Sequence, residues 1–338
     1  MVNWPQMRLF LAALIAVPCI AATADDQQFN GRWNITVKGD SAPRAWWLEV
    51  SGAGTDVVKG KFVGAPVGQL EDIQKISVYD GELRFTLERH YRQEPRPPRD
   101  PKQPVPRDPR PALQRGSYWA RFDNGKLKGT FEIEGDPTSY LEWTGVRAPV
   151  IKDVDDGTWK RSDPVTLFDG RDLTGWSPVV QSGPPWTVKQ GILSNAVGAS
   201  DLESDKKFWN FILHVEYRVG PGGASGIGLR GRYEVQIVDD AGRPPSVHVN
   251  GAIYCRIAPI INATKDPGEW QTFEIRLIGR QVSVSLNGMR LIERQTIEGL
   301  TTTAIDANEA DPGPIVLQGD RGIVEFRKII LYPLTKSH

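Results

Sequence analysis

The sequence predicts an all-β chain of two domains, a small antiparallel barrel or sandwich followed by a double-sheet jelly roll. Three observations predict it. Short runs rich in aromatic and β-branched residues recur along most of the chain. Turn pairs separate them, among them Asp80-Gly81, Asn124-Gly125, Gln190-Gly191 and Asn287-Gly288, all suited to tight hairpins. A polar stretch at 149–164 then divides one series of runs from the other.

The 338 residues are enough for two domains with sizeable cores. Residues 1–24 have the pattern of a secretory leader: Arg8, the apolar run LFLAALIAVPCIAA, and a small-residue cleavage site at Ala22-Thr23-Ala24. The mature chain is expected to begin near Asp25, in a bacterial periplasm or secreted. The apolar run is too short to span a bilayer and is broken by Pro18, and no later segment could span one. Cys19 lacks a convincing lipidation box before it. Cys255 is then the only thiol of the mature chain, which excludes an intrachain disulfide framework and argues against a cysteine-based metal site. The 41 basic and 41 acidic residues balance, so charge gives no reason to expect nucleic acid or an anionic membrane as partner.

From residue 25 to 148 the runs GRWNITVKG, RAWWLEV, VVKGKFVG, IQKISVYDG, ELRFTLER, GSYWARFD, KLKGTFEIEG and SYLEWTG predict eight strands. Most of Trp33, Trp46, Trp47, Trp119 and Trp143 are expected as core rather than as a sugar-stacking platform. Eight prolines within 92–111 forbid helix and ladder there and predict an extended, arginine-rich arm, either a solvated loop or a docking arm for a protein or cell-wall partner. Residues 149–164 are expected as a linker. From 165 to 335, the runs LFDGRDLTGW, PWTVKQGILSN, FILHVEYRV, SGIGLRG, YEVQIVDD, GAIYCRIAP, WQTFEIRLIG, QVSVSLNGMRLIE, GPIVLQG and IVEFRKIILYP predict the strands of the jelly roll.

The centre of the second domain is SGIGLRGRYEVQIVDD, Ser225 to Asp240. Alternation in an extended strand puts Arg230, Glu234 and Gln236 on one face and Tyr233, Val235 and Ile237 on the other. The apolar face belongs in a core. A guanidinium, a carboxylate and an amide side by side require partners or a polar ligand such as a sugar. GIGLRG matches a dinucleotide fingerprint in form only, because no helix follows to receive a pyrophosphate.

Residues spread in order over this domain carry a resemblance. They are Leu167-Phe168-Asp169-Gly170 with Leu173, Gly175 and Trp176, then Trp186 with Gly191, then Glu216-Tyr217-Arg218. Ser225-Gly226, Leu229-Arg230, Tyr233-Glu234, Gln236 and Asp239 follow, then Gly251-Ala252-Ile253-Tyr254, Trp270 and Asn287-Gly288. Leu317-Gln318-Gly319-Asp320 and Phe326-Arg327 complete the set. Over 165–333 the chain resembles the 3-keto-disaccharide hydrolase domain family, also described as 3-keto-glucoside 1,2-lyase and 3-keto-2-hydroxy-glucal hydratase. The resemblance implies a concanavalin- or laminin-G-like sandwich with a concave sugar-holding face. It also implies cleavage, outside the cytoplasm, of glycosides already oxidised at carbon 3. Relatives often carry His where this chain has Arg321, and often read Phe-Arg-Asn where Lys328 follows Arg327. The N-terminal domain lies outside the resemblance.

A carbon-3 ketone acidifies the hydrogen on carbon 2, so cleavage by elimination needs a base, an enolate stabiliser and a proton donor. Glu234 is the expected base, Arg230 and Gln236 the stabilisers, and Tyr254 the donor. Gln318, Arg327 and Trp186 are expected to bind substrate. Asp239 and His248 are candidate ligands for a divalent metal at the ketone. Three alternatives stay open: an internal ion pair of Glu234 with Arg230 or Arg327, a two-carboxylate hydrolase with a second acid facing Glu234, and a lectin-like module without catalysis.

Overall fold

Most of the alternating runs fold as strands, in a computed structural model that describes residues 24–38, 44–64, 67–90, 113–319 and 321–336. The predicted leader and the proline-rich arm at 92–111 lie outside the described residues. Among those residues no helix is long and apolar enough to cross a membrane.

After a 3-10 turn at Ala24–Phe29 come β1 (Gly31–Lys38), β2 (Ala45–Ser51), β3 (Lys59–Gly64), β4 (Val67–Asp72), β5 (Lys75–Tyr79), β6 (Glu82–Arg89), β7 (Gln114–Asp123), β8 (Lys126–Ile133) and β9 (Asp136–Arg147). They form one nine-stranded antiparallel sheet in the order β4-β3-β2-β1-β9-β8-β7-β6-β5. The sheet curls around an aromatic core of Trp33, Trp46, Phe62, Phe85, Tyr118 and Trp143. Trp119 is the one of the five tryptophans that is not buried. β4 is a strand that composition hid, because Gln69, Glu71 and Asp72 break any apolar alternation.

The second part begins with β10 (Trp159–Arg161), β11 (Val165–Phe168), β12 (Trp176–Pro178), β13 (Thr187–Lys189), β14 (Ile192–Ser194), β15 (Leu202–Ser204) and β16 (Phe211–Val219). It continues with β17 (Ala224–Leu229), β18 (Tyr233–Val238), β19 (Gln271–Ile278), β20 (Gln281–Leu286), β21 (Met289–Thr296), β22 (Val316–Leu317) and β23 (Val324–Lys336). One sheet runs β13-β14-β23-β16-β19-β20-β21, with β10 and β11 also on β23; the other runs β12-β15-β22-β17-β18. Leu213, Val215, Phe273, Ile275, Ile329 and Leu331 of the first pack on Ile227, Tyr233, Val235, Ile237 and Leu317 of the second. The chain is all-β, as the alternation requires. At each of the four predicted turn pairs both residues have positive φ, from 49° to 81°, the geometry of a two-residue hairpin loop.

Residues 149–164 are strapped to the second domain rather than strung between the two. Asp153 accepts from Trp209 Nε1 (2.8 Å) and Asn210 Nδ2 (2.7 Å). Asp155 takes a two-pronged bond from Arg276, at 2.7 and 2.9 Å. The domains meet through a third, smaller core of Ala45, Trp47, Val63, Cys255, Leu300, Ala304 and Ala307. Beside it the buried carboxylate of Glu309 accepts from Asn34 of β1 (2.9 Å), Arg280 (2.6 Å) and Tyr233 (2.5 Å).

Candidate functional site

The site is built on the polar face of the five-stranded sheet. Tyr233, Val235 and Ile237 of β18 turn inward, so Glu234 and Gln236 turn outward. Gly228 pairs with Glu234 and Gly226 with Gln236. These glycines leave the floor beside the two side chains as bare backbone. A methyl group at 226 would stand 2.5 Å from Glu234 Oε1, so glycine there makes the room the carboxylate occupies. Gln318, whose N–H donates to Gly226 O at 3.0 Å, lies on the same face. The register carries the row on from Glu234 through Gly228 and Val316 to Glu203. That is three strand spacings, about 14 Å between the α-carbons.

β18 is an edge strand, and two segments cover its open edge. Residues 251–259, expected as a strand, form a tightly turned loop with Gly251 at φ 81° and Cys255 at φ 55°. The apolar run GAIYCRIAP is buried by this folding rather than by a ladder. Its backbone closes the edge: Gln236 N–H donates to Ala252 O, Gly251 N–H to Gln236 O and Tyr254 N–H to Glu234 O, each at 2.9 Å. The second segment brings threonines. Glu234 N–H donates to Thr301 Oγ1 at 3.1 Å, and Thr303 Oγ1 donates to Glu234 Oε2 at 2.8 Å. Glu234 is 3% exposed, a buried carboxylate held by a hydroxyl donor.

Burial, then the Glu234 charge, hold the Tyr254 hydroxyl above the usual phenol range, with Arg321 opposing. Tyr254 therefore stays a proton donor at neutral pH and shares an electrostatic neighbourhood with Glu234 and Arg321. His248 stands edge-on to its ring, with centroids 5.2 Å apart. Glu203 has its carboxyl raised, chiefly by burial, as a proton-holding acid requires.

Glu234, Gln236, Gln318 and Tyr254 are thus brought together, with His248 at the margin. The other predicted residues go elsewhere. Arg230 belongs to the turn after β17, at φ 54°, so strand alternation does not govern its side chain. It is fully buried, stacks over Trp209 at 4.2 Å and donates to Gly279 O. Arg327 is the extra residue of a β-bulge in β23 opposite Glu216 and Tyr217. It leaves the site to bond Glu216 and cover Trp270 at 4.5 Å, on the other sheet. Neither arginine is bonded to Glu234 in the ion pair weighed above. Trp186 is a core residue, 6% exposed, donating to Ser200 O. Asp239 accepts from Gly222 N–H at 2.8 Å. Among the described residues no group of three His, Cys, Asp or Glu side chains is placed to hold a metal ion. Thr301, Thr303 and Glu203 carry no sequence signal; strand register alone finds Glu203. A surface hollow of about 490 Å³ lies on the outer face of the larger sheet, where Arg276 bonds Asp155 and His214 bonds Glu274.

The profile of the 3-keto-alpha-glucoside-1,2-lyase-like domain matches residues 163–331, half of the chain. The chain belongs to this family. The protein is accordingly carbohydrate-active, with a glycoside as its class of ligand. Similar solved structures include three proteins of Parabacteroides distasonis ATCC 8503 provisionally described as glycosyl hydrolases. One is 30% identical, over 55% of this chain and 91% of its own, with a TM-score of 0.45. A second is 21% identical over 51% and 94%, with a TM-score of 0.43. The third is 24% identical over 51% and 100%, with a TM-score of 0.41. No curated protein matches the chain. Residues 25–148, with their nine-stranded sheet, fall outside the family match.

Proposed function

We propose that the protein cleaves 3-keto-glycosides by elimination followed by addition of water. The observation that carries this reading is the Glu234 carboxylate, buried on a glycine-floored polar face and oriented by Thr303 beside a phenol that stays protonated. Glu234 removes the proton from carbon 2, and the electron pair moves onto the carbon-3 oxygen as an enolate. Gln236 and Gln318 donate amide hydrogens on that face, and Arg321 supplies the positive charge that Arg230 was expected to bring. The enolate re-forms the ketone as the carbon-1 to oxygen bond breaks, and Tyr254 protonates the departing oxygen. Water then adds across the carbon 1–carbon 2 double bond, hydroxyl to carbon 1 and proton to carbon 2, giving net hydrolysis.

The test is turnover of a 3-keto-disaccharide against its unoxidised parent, run in deuterium oxide. The expected result is cleavage of the keto substrate alone with deuterium at carbon 2 of the product. Cleavage of both sugars without deuterium would favour a two-carboxylate hydrolase, for which Glu203 is the second acid that register supplies. Sugar binding with no cleavage would leave a lectin-like module. We further propose export to a bacterial periplasm or the medium, on the strength of the leader pattern in residues 1–24. N-terminal sequencing of protein from the native host checks it, and an intact Met1 overturns it.

A further inference from the structure

We propose that the N-terminal domain is a working part of the catalytic site, and that Trp47 is a positioning residue acting through the segment 298–309. The inference rests on the reading of Glu234 as the base. That segment is held on two sides. Toward β18, Thr301 N–H donates to Arg232 O (3.0 Å), Ile305 N–H donates to Gly231 O (2.9 Å), and Thr301 and Thr303 hold Glu234. Away from β18, it also bonds the other domain. Ala45 N–H of β2 donates to Ala304 O at 2.9 Å, and Asn34 Nδ2 of β1 donates to Ala307 O at 3.2 Å.

Trp47 is the centre of this contact. It is fully buried, and its indole lies so close to Gly299 that a methyl group there would stand 2.2 Å from Nε1. Arg256 stacks over the same ring at 4.3 Å and donates to Leu300 O at 2.6 Å. The ring therefore sets the height of Gly299 directly and of Leu300 through Arg256. Thr303 is three residues further on. Leu300, Ala304 and Ala307 are small or aliphatic and face this interface, where Ala45, Trp47 and Val63 of the N-terminal domain cover them together with Cys255. A domain outside the family match thus supplies the back wall of the family's site.

The full-length chain with Trp47→Ala, with Thr303→Val and with both tests this. Folding is checked by calorimetry, so that assays run only well below each melting temperature. Trp47→Ala is expected to lower kcat about 10- to 100-fold with KM changed less than about threefold, because misplacing a reacting group costs rate rather than affinity. If Trp47 acts through Thr303, the double variant is no more than about twofold slower than Thr303→Val alone. Trp47→Phe, which keeps a ring between Gly299 and Arg256, is expected to restore most of kcat. Trp119→Ala, on the outer face of the same domain, leaves it unchanged. Hydrogen exchange is the arm that needs no substrate: Trp47→Ala should hasten exchange at the amides of Thr301, Ala304 and Ile305 and leave those of β20 protected. Unchanged exchange there, or additive effects of the two substitutions, overturns the proposal. A wild type that turns over no 3-keto-glycoside overturns the reading of the base instead, and the exchange result still decides the positioning.

Discussion

Thr303 Oγ1 donates to Oε2 of Glu234 at 2.8 Å, across 69 residues of chain. A hydroxyl that donates to a buried carboxylate stabilises its charged form and fixes its direction. Arg230 and Arg327 are both bonded elsewhere. Glu234→Gln keeps the shape and leaves an oxygen for Thr303, but removes the base. Turnover of a 3-keto-glycoside is expected to fall by about 10²- to 10⁴-fold, the usual worth of a positioned base, with little change in melting temperature. A variant that keeps its rate would remove Glu234 from the chemistry.

Gly226 gives a second, independent handle on the same carboxylate. In Gly226→Ala the new methyl meets Glu234 Oε1 at 2.5 Å and pushes the carboxylate aside. A displacement near 1 Å is expected to cost about 10²-fold in kcat. Gly228→Ala is the matched control, since its methyl meets Val316 Cβ at 2.9 Å instead. It should cost stability, about 1–3 kcal/mol of overpacking, more than rate. Equal rate losses in the two variants would show that the floor, not the carboxylate, matters.

What the sequence made legible was local. A residue pair such as Asn287-Gly288 carries its own φ requirement, so all four hairpin turns could be placed without tertiary information. Alternation placed Glu234 and Gln236 on one face because both lie inside β18. It failed for Arg230, one turn earlier, and for Arg327, where a bulge breaks the count. The run 251–259 is apolar like a strand but is buried as a loop against an edge, a choice made by the neighbour and not by the run. Thr303 and Glu203 had no local signal, because their place in the site comes from long-range contact and register.

Asp155 predicts how the second domain responds to acid. The bonds from Arg276 hold its carboxyl below the usual aspartate range, and its side chain is only 6% exposed. An acid with a depressed folded pKa contributes stability that is present above the unfolded value, about 3.9, and is lost as pH falls below it. Asp155→Asn should destabilise by about 1.5–3 kcal/mol at pH 7, the worth of hydrogen bonds to a charged group. Urea midpoints at pH 7 and near pH 2.5 check the sign: the gap between wild type and variant narrows in acid. A gap that stays constant would mean that the charge on Asp155 contributes nothing. The same variant should expose 149–164 to protease, which the native straps protect.

Two groups compete for the role of proton donor, and their environments predict different outcomes. Tyr254 is bonded through its backbone to Glu234 and keeps its proton because burial and the Glu234 charge both oppose ionisation. Glu203 keeps its proton to a higher pH than an ordinary glutamate, chiefly through burial, but lies three strands away across the glycine floor. In an elimination begun by Glu234 the departing oxygen is on carbon 1, next to the carbon that loses its proton, so the donor must stand close to the base. Tyr254→Phe is therefore expected to lower kcat by about 10²-fold or more on a substrate with a poor leaving group. On a nitrophenyl 3-keto-glycoside, whose leaving group needs no proton, the loss should shrink to within about tenfold. Glu203→Gln should change either rate by less than about threefold, within the range of a neighbouring substitution outside the chemistry. The reverse pattern, with Glu203→Gln rescued by the nitrophenyl substrate and Tyr254→Phe indifferent to it, would make Glu203 the acid. It would also move the scissile bond to the β15 side of the face.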